Sequence, residues 1–214
     1  MTGPLNPAGQ RPEYWPRAKR ALARRDLVMA RIIRSYPRIV LQSRGAPFLT
    51  LARSIVGQQI SVKAAQSVWN RLADAAPGVT PAEMLGLGMR RLRRCGLSGR
   101  KAEYLRDLAR HFLDGTVHVH RWPMMGDEAV IAELVQVRGI GRWTAEMFLI
   151  FSLLRPNVLP VDDLGLRKAA GIQYFGGEEV DAEQLRALGA RWEPWRSVAT
   201  WYLWRSLDPL PVEY

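Results

Sequence analysis

Leu134-Val-Gln-Val-Arg-Gly-Ile-Gly-Arg-Trp-Thr-Ala145 is the stretch on which the reading of this chain turns. It holds the apolar end of a helix (Leu134, Val135, Val137), a glycine turn (Gly139-Ile140-Gly141) and a new helix starting near Arg142. A helix N-terminus carries unpaired N–H groups and the positive end of the helix dipole, so it attracts anions. Glycine lets an anion approach the backbone closely. A Gly-x-Gly turn also serves as a plain tight turn, so its context decides. That context is Leu159-Pro-Val-Asp-Asp-Leu164, where Asp162 and Asp163 stand just before a helix that restarts at Leu164-Gly-Leu-Arg167. One aspartate is a natural N-cap for that helix, and the other then offers a carboxylate for chemistry.

Working outward, helical spacing recurs on both sides and the alternation of strands is absent. Pro47 opens an apolar helix (Phe48, Leu51, Ile55) that meets Gly57 and the polar pair Gln58-Gln59. Ser61 caps the next helix, with Ala64, Ala65, Val68 and Leu72 on one face. A Gln-Gln turn between apolar helices suits a tip that reaches outward. Pro81 starts a helix predicted to end near Gly86 or Gly88, and another runs from Arg100 to Gly115. Thr144 to Leu154 reads as a buried helix, ended by Arg155-Pro156-Asn157. Asp26 caps a helix bearing Leu27, Ile32 and Ile33, and Pro194 fits the first turn of the last helix, where Trp201 and Trp204 share a face. Trp195 and Trp201 read as core. The expectation is an all-α fold of about ten helices in two lobes with a cleft between them. Residues 1–15 are expected to be mobile and 16–214 to form one helical module. Its central lobe spans about 47–115 and its hairpin-bearing lobe about 124–175, completed by the N- and C-terminal helices.

The chain has 214 residues and a formal net charge of +11, from 31 Lys and Arg against 20 Asp and Glu. That balance favours a polyanionic partner, nucleic acid before membrane. Arg11 to Arg44 holds ten basic residues against only Glu13 and Asp26, read as a solvated face. No apolar run is long enough to span a bilayer, and the N-terminus lacks the apolar core of a secretory signal, so a cytoplasmic, nucleoid-associated protein is expected. The lone Cys95 excludes a disulfide within the chain and a four-cysteine iron–sulfur or zinc site. His111, His118 and His120 lack the spacing of a metal centre.

Val137-Arg-Gly-Ile-Gly-Arg-Trp-Thr-Ala145 together with Leu159-Pro-Val-Asp-Asp-Leu-Gly-Leu166 resembles the helix-hairpin-helix, Gly/Pro-rich, catalytic-Asp (HhH-GPD) superfamily of DNA glycosylases. The narrower resemblance is to its alkylation-repair branch, DNA-3-methyladenine glycosylase II. Ser54-Ile-Val-Gly-Gln-Gln-Ile-Ser61, Cys95-Gly-Leu-Ser-Gly-Arg-Lys-Ala102 and Trp192-Glu-Pro-Trp-Arg-Ser197 agree, in the right order, from about Pro47 to Trp204. The resemblance implies that Gly139, Gly141 and Thr144 hold a DNA phosphate. It implies that the carbonyls of Val135, Val137 and Ile140 bind a monovalent Na+ or K+, with no other cofactor. Gln59 falls where the family places the residue that fills the gap left by a flipped base. Trp143 and Trp204 match aromatic positions of the base pocket, and Met147 stands where some relatives carry tyrosine, which implies a roomier pocket. Asp163 aligns with the catalytic aspartate, with Asp162 then the cap; a gapless alignment to distant members carrying a single Asp favours Asp162. Trp143 also occupies the place of the lysine nucleophile of lyase-competent relatives. The implied activity is therefore a monofunctional glycosylase, a monomer with no obligatory protein partner, acting on double-stranded DNA that contains alkylated bases. The open rivals are a non-catalytic hairpin DNA-binding protein and a bifunctional glycosylase–lyase.

Overall fold

The computed structural model describes residues 6–207. Among them there are eleven α-helices and one 3-10 turn, and no strand. The helices are α1 (Trp15–Arg25), α2 (Leu27–Ser35), α3 (Pro47–Gly57), α4 (Val62–Ala75), α5 (Pro81–Arg94) and α6 (Gly99–Leu113). They continue with α7 (Asp127–Leu134), α8 (Arg142–Phe151), α9 (Leu164–Tyr174), α10 (Ala182–Ala190) and α11 (Arg196–Leu207). The chain divides into two compact units. The first contains Arg44–Phe148; the second combines Gly9–Ser43 with the described residues from Leu149 to Leu207. The division falls inside α8. The lobes expected from sequence are thus regrouped: 47–115 and the hairpin share one unit, and 149–175 joins the terminal helices.

In the first unit, local sequence sets each helix start. Ser61 accepts from the Ala64 N–H, and Ser98 from the Lys101 N–H. Thr80 and Glu83 form a reciprocal capping box, which satisfies two of the N–H groups that a helix start leaves unpaired. Those hydrogen bonds hold the Glu83 carboxylate below its usual range. The apolar faces meet in a core with Leu51, Ile55, Leu72, Met84, Leu92, Leu105 and Leu134 all essentially out of water. Each such side chain contributes roughly 1.5–3 kcal/mol of burial. An edge-to-face chain of aromatic rings, Phe48–Phe112–Trp122–Phe148, runs through it at centroid spacings of 5.2, 6.3 and 5.2 Å. The helix predicted to stop at Gly86 or Gly88 instead continues to Arg94, kinked at Gly88, whose φ is 66°. Glycine takes that left-handed conformation without the Cβ clash other residues meet, so the arginine-rich half carries on in a new direction.

The second unit is organised by Asp26, 3% exposed. Its carboxylate caps α2 through the N–H groups of Val28 and Met29. It also accepts from the Tyr174 hydroxyl at 2.9 Å and the Trp192 indole at 3.4 Å. Arg191 lies 3.7 Å away. A buried carboxylate is tolerable only with such partners. Burial and the neighbouring Asp26 charge push the Tyr174 phenol well above its usual value. The stretch predicted to be mobile, 1–15, is held from Gly9 on. Gly9 N–H donates to Ser43 and Ser43 N–H to Gln10, both at 2.8 Å, and the Tyr14 hydroxyl reaches the Leu154 carbonyl. Residues 1–5 lie outside the described residues. Trp201 is core, as expected, and Trp195 stacks on Tyr14. Pro194 does not enter α11; it follows a cis peptide bond in the turn before it.

Candidate functional site

The glycine turn is built by the end of α7 and the start of α8. Val137 N–H donates to Leu134, and Ile140 N–H to Val137, each at 3.1 Å, which closes the turn. Gly139 has φ +85°, and a Cβ there would lie 2.2 Å from Cδ2 of Tyr104. Only glycine fits. Gly141 differs: its φ is ordinary and an added Cβ would meet nothing within 4 Å. The fold does not require glycine there, yet its absent side chain leaves bare backbone at the surface. The Gly141 carbonyl accepts from Ala145 N–H, the first bond of α8, which makes Gly141 the N-cap. The first-turn N–H groups that follow have no partners within the helix. Thr144 is buried at that helix start.

Three side chains hold this turn, two of them passed over by the sequence reading and the third, Gln58, expected on the outward tip. Asp107 accepts from Arg138 N–H at 2.9 Å, and Gln58 donates to the Gly139 carbonyl at 2.8 Å. Tyr104 covers Gly139. Of the Gln-Gln pair, Gln58 therefore turns inward, and Gln59 alone is the exposed tip, with φ 56°. Exposed Ile60 and Val62 follow it. Behind the tip, the Lys101 ammonium donates to the Val56 carbonyl at 2.9 Å, and burial lowers its pKa. The Gly-Arg-Lys-Ala run was legible as a motif, but not as a clamp on the end of α3. Arg142, first in α8, grips both Glu128 oxygens at 2.9 and 2.5 Å and Glu146 at 3.0 Å. That hydrogen bonding keeps Glu128 below the usual carboxylate range. Trp143 is 39% exposed, while Met147 is 8% exposed.

The carboxylate lies in the second unit. Asp163, 9% exposed, is the N-cap of α9, accepting from Leu166 N–H at 2.6 Å. The same oxygen, Oδ1, accepts from the Trp204 indole N–H at 2.8 Å. The face of Trp204 stacks on Phe151 at 5.8 Å with the planes 12° apart. The expected division of labour between the two aspartates is corrected: Asp162 is exposed and does not cap, and Asp163 is both cap and fixed carboxylate. The N-cap must precede the first helical residue immediately, and α9 begins at Leu164. Trp204 accordingly presents its edge to the carboxylate. Gly165 leaves room for this: a Cβ there would lie 3.2 Å from Asp163 Oδ1 and 3.6 Å from Trp204. Among the described residues no group of His, Cys, Asp and Glu could hold a metal, and no helix is long and apolar enough to cross a membrane. Cys95 is buried, its thiol donating to the Arg71 carbonyl.

Residues 52–194 match the model of the HhH-GPD superfamily base excision DNA repair proteins. DNA-3-methyladenine glycosylase 1 of Schizosaccharomyces pombe is 34% identical over 166 residues, covering 75% of this chain and 72% of its own length. A putative DNA-3-methyladenine glycosylase of Bacillus subtilis, YfjP, is 33% identical over 74% of this chain, which spans only 58% of that relative. A crystal structure of a DNA-3-methyladenine glycosidase from Bacillus halodurans superposes with a TM-score of 0.82 at 34% identity, over 90% of this chain and 89% of that one. The S. pombe 3-methyladenine glycosylase Mag1, solved with abasic DNA, gives 0.77 at 29% identity, over 92% and 99%. The chain belongs to the HhH-GPD superfamily of base excision DNA repair proteins, among relatives named DNA-3-methyladenine glycosylases.

Proposed function

We propose that this chain is a monofunctional DNA glycosylase that flips alkylated purines, of the 3-methyladenine and 7-methylguanine type, out of duplex DNA and hydrolyses the N-glycosidic bond. The observation that carries this reading is Asp163: a buried carboxylate whose Oδ1 is fixed by two hydrogen bonds, one from a helix N-terminus and one from an indole. The names and sequence likeness of the relatives support the substrate class.

A base must leave the stack before its sugar bond can be attacked. The first turn of α8, opened by Gly141, grips a phosphate of the strand through backbone N–H groups. Gln59 enters the gap left by the base; its amide both fills space and hydrogen-bonds the orphaned partner. A purine alkylated at a ring nitrogen is cationic and leaves readily, and an electron-rich indole face such as that of Trp204, whose edge meets Asp163, attracts it. As the bond lengthens, positive charge grows on the sugar. Asp163, prevented from swinging, stabilises that oxocarbenium character and aligns water. Met147 contributes an adaptable pocket wall. The carbonyls of Val135, Val137 and Ile140 would hold a monovalent cation, which would stiffen the hairpin. Their closeness along one tight turn supports this, as does the second lone pair of a Val137 carbonyl that already accepts from Ile140.

Duplex DNA treated with a methylating agent tests the reading. Wild type releases methylated purines, and Asp163→Asn loses on the order of 10²-fold or more in rate. Asparagine keeps an oxygen where Oδ1 accepts its two bonds, so the variant removes charge and leaves the cap. Equal release by both proteins sinks the role of Asp163. Borohydride trapping gives no covalent complex; a trapped complex establishes a lyase instead.

A further inference from the structure

Away from the hairpin and the carboxylate, the second unit has a cavity of about 420 Å³ formed by the chain before α1, by α1 and by the segment after α2. Trp15 and Ile39 contribute apolar lining; Arg11, Lys19, Arg20 and Arg38 contribute four cations, and no acid lines it. Lys19 donates to the Pro37 carbonyl at 2.8 Å, which ties α1 to the opposite side. Arg11, Arg20 and Arg38 pair with no carboxylate among the described residues. The N-terminal residues Trp15 and Pro16 of α1 also line it, adding the positive end of a helix dipole. Like charges sharing a concavity repel one another, and an anion that enters relieves the repulsion.

The three guanidiniums are exposed rather than enclosed, and the basic run continues beyond them through Arg44 with only Glu13 and Asp26 against it. That favours a charged backbone crossing an open rim over a small ligand sealed inside. We propose that this cavity grips a phosphodiester of duplex DNA, a sequence-independent contact additional to the hairpin. The proposal rests on the DNA-binding part of the function given above.

The test measures affinity for a long undamaged duplex across a salt series for Arg20→Ala/Arg38→Ala. Expected are a loss on the order of tenfold and a slope of log K against log salt that is shallower by about 1, as one lost phosphate contact requires. Base release under single-turnover conditions at saturating enzyme stays unchanged. The charge-matched pair Arg94→Ala/Arg186→Ala leaves the slope closer to wild type. An unaltered slope in the cavity variant, or an equal change in both pairs, overturns the proposal. Inorganic phosphate that protects wild type but not the variant from heat, with an unaltered DNA slope, marks a small-anion site and also overturns it. Failure of wild type to release methylated purines is a separate result, against the glycosylase reading, because the salt slope is read on undamaged DNA.

Discussion

Gly139 and Gly141 sit two residues apart and lack a side chain for opposite reasons. At Gly139 the chain itself demands it, through a positive φ and the ring of Tyr104. Gly139→Ala is expected to destabilise the protein by about 2–4 kcal/mol, combining backbone strain with overpacking. Thermal melting measures this. At Gly141 the chain imposes no such demand. Gly141→Ala should cost under about 1 kcal/mol of stability, as a poorer N-cap. On the proposed phosphate grip it should nevertheless weaken duplex binding about tenfold, equivalent to 1.4 kcal/mol, because the added methyl group obstructs the approach of a phosphate. Unimpaired binding would remove Gly141 from the phosphate grip. Trp204 permits a similarly clean separation. Trp204→Phe keeps a ring against Phe151 and deletes the N–H held by Asp163. A stability loss of about 1 kcal/mol is expected. Single-turnover base release should slow about tenfold with the affinity for DNA little changed. A loss confined to affinity would make Trp204 a binding surface and not a positioning residue.

At the scale of elements, the long connection from α6 to α7 is pinned by a single carboxylate. Glu133 accepts from the Trp122 indole at 2.8 Å and from His118 N–H at 3.0 Å, and lies 2.7 Å from the His118 ring. Burial works to raise its pKa, but these hydrogen bonds outweigh it and the net direction is down. A depressed carboxylate stabilises the fold above its unfolded pKa, and that stabilisation is lost as pH falls through the folded value. Melting temperature should therefore drop below the ordinary glutamate range, and Glu133→Gln should flatten that part of the profile. A variant with the wild-type acid slope would contradict this. The sequence showed Glu133 only as one acid in a short helix, since its partners lie 11 and 15 residues away along the chain. The same limit hid Asp107, Tyr104 and Lys101. Features set by neighbours in sequence were legible: the caps at Asp26 and Ser61, and the glycine turn. The roles of Asp162 and Asp163 were exchanged as caps because cap identity depends on a one-residue register that periodicity does not resolve.

For the whole molecule, charge sets the strength of its hold on DNA. A formal net charge of +11 distributed over 214 residues draws a polyanion to many faces at once, so much of the affinity should come from counterion release and little from base contacts. Even two neutralised phosphates, at a slope of about 0.9 each, make affinity fall about tenfold between 50 and 200 mM salt. With one such contact proposed at the hairpin and another at the cavity on α1, tenfold is the expected lower bound for this protein. Filter binding of undamaged duplex over that salt range measures it. Chemistry should respond differently, because Asp163 is buried and its two hydrogen bonds are short-range, where a Debye length near 10 Å screens little. Once enzyme is saturating, the rate of base release should thus be nearly independent of salt, while half-saturation rises steeply. A saturated rate that falls in parallel with affinity would mean that the charges which gather DNA also set the geometry of the reaction, and that the carboxylate is not fixed by its own helix and indole.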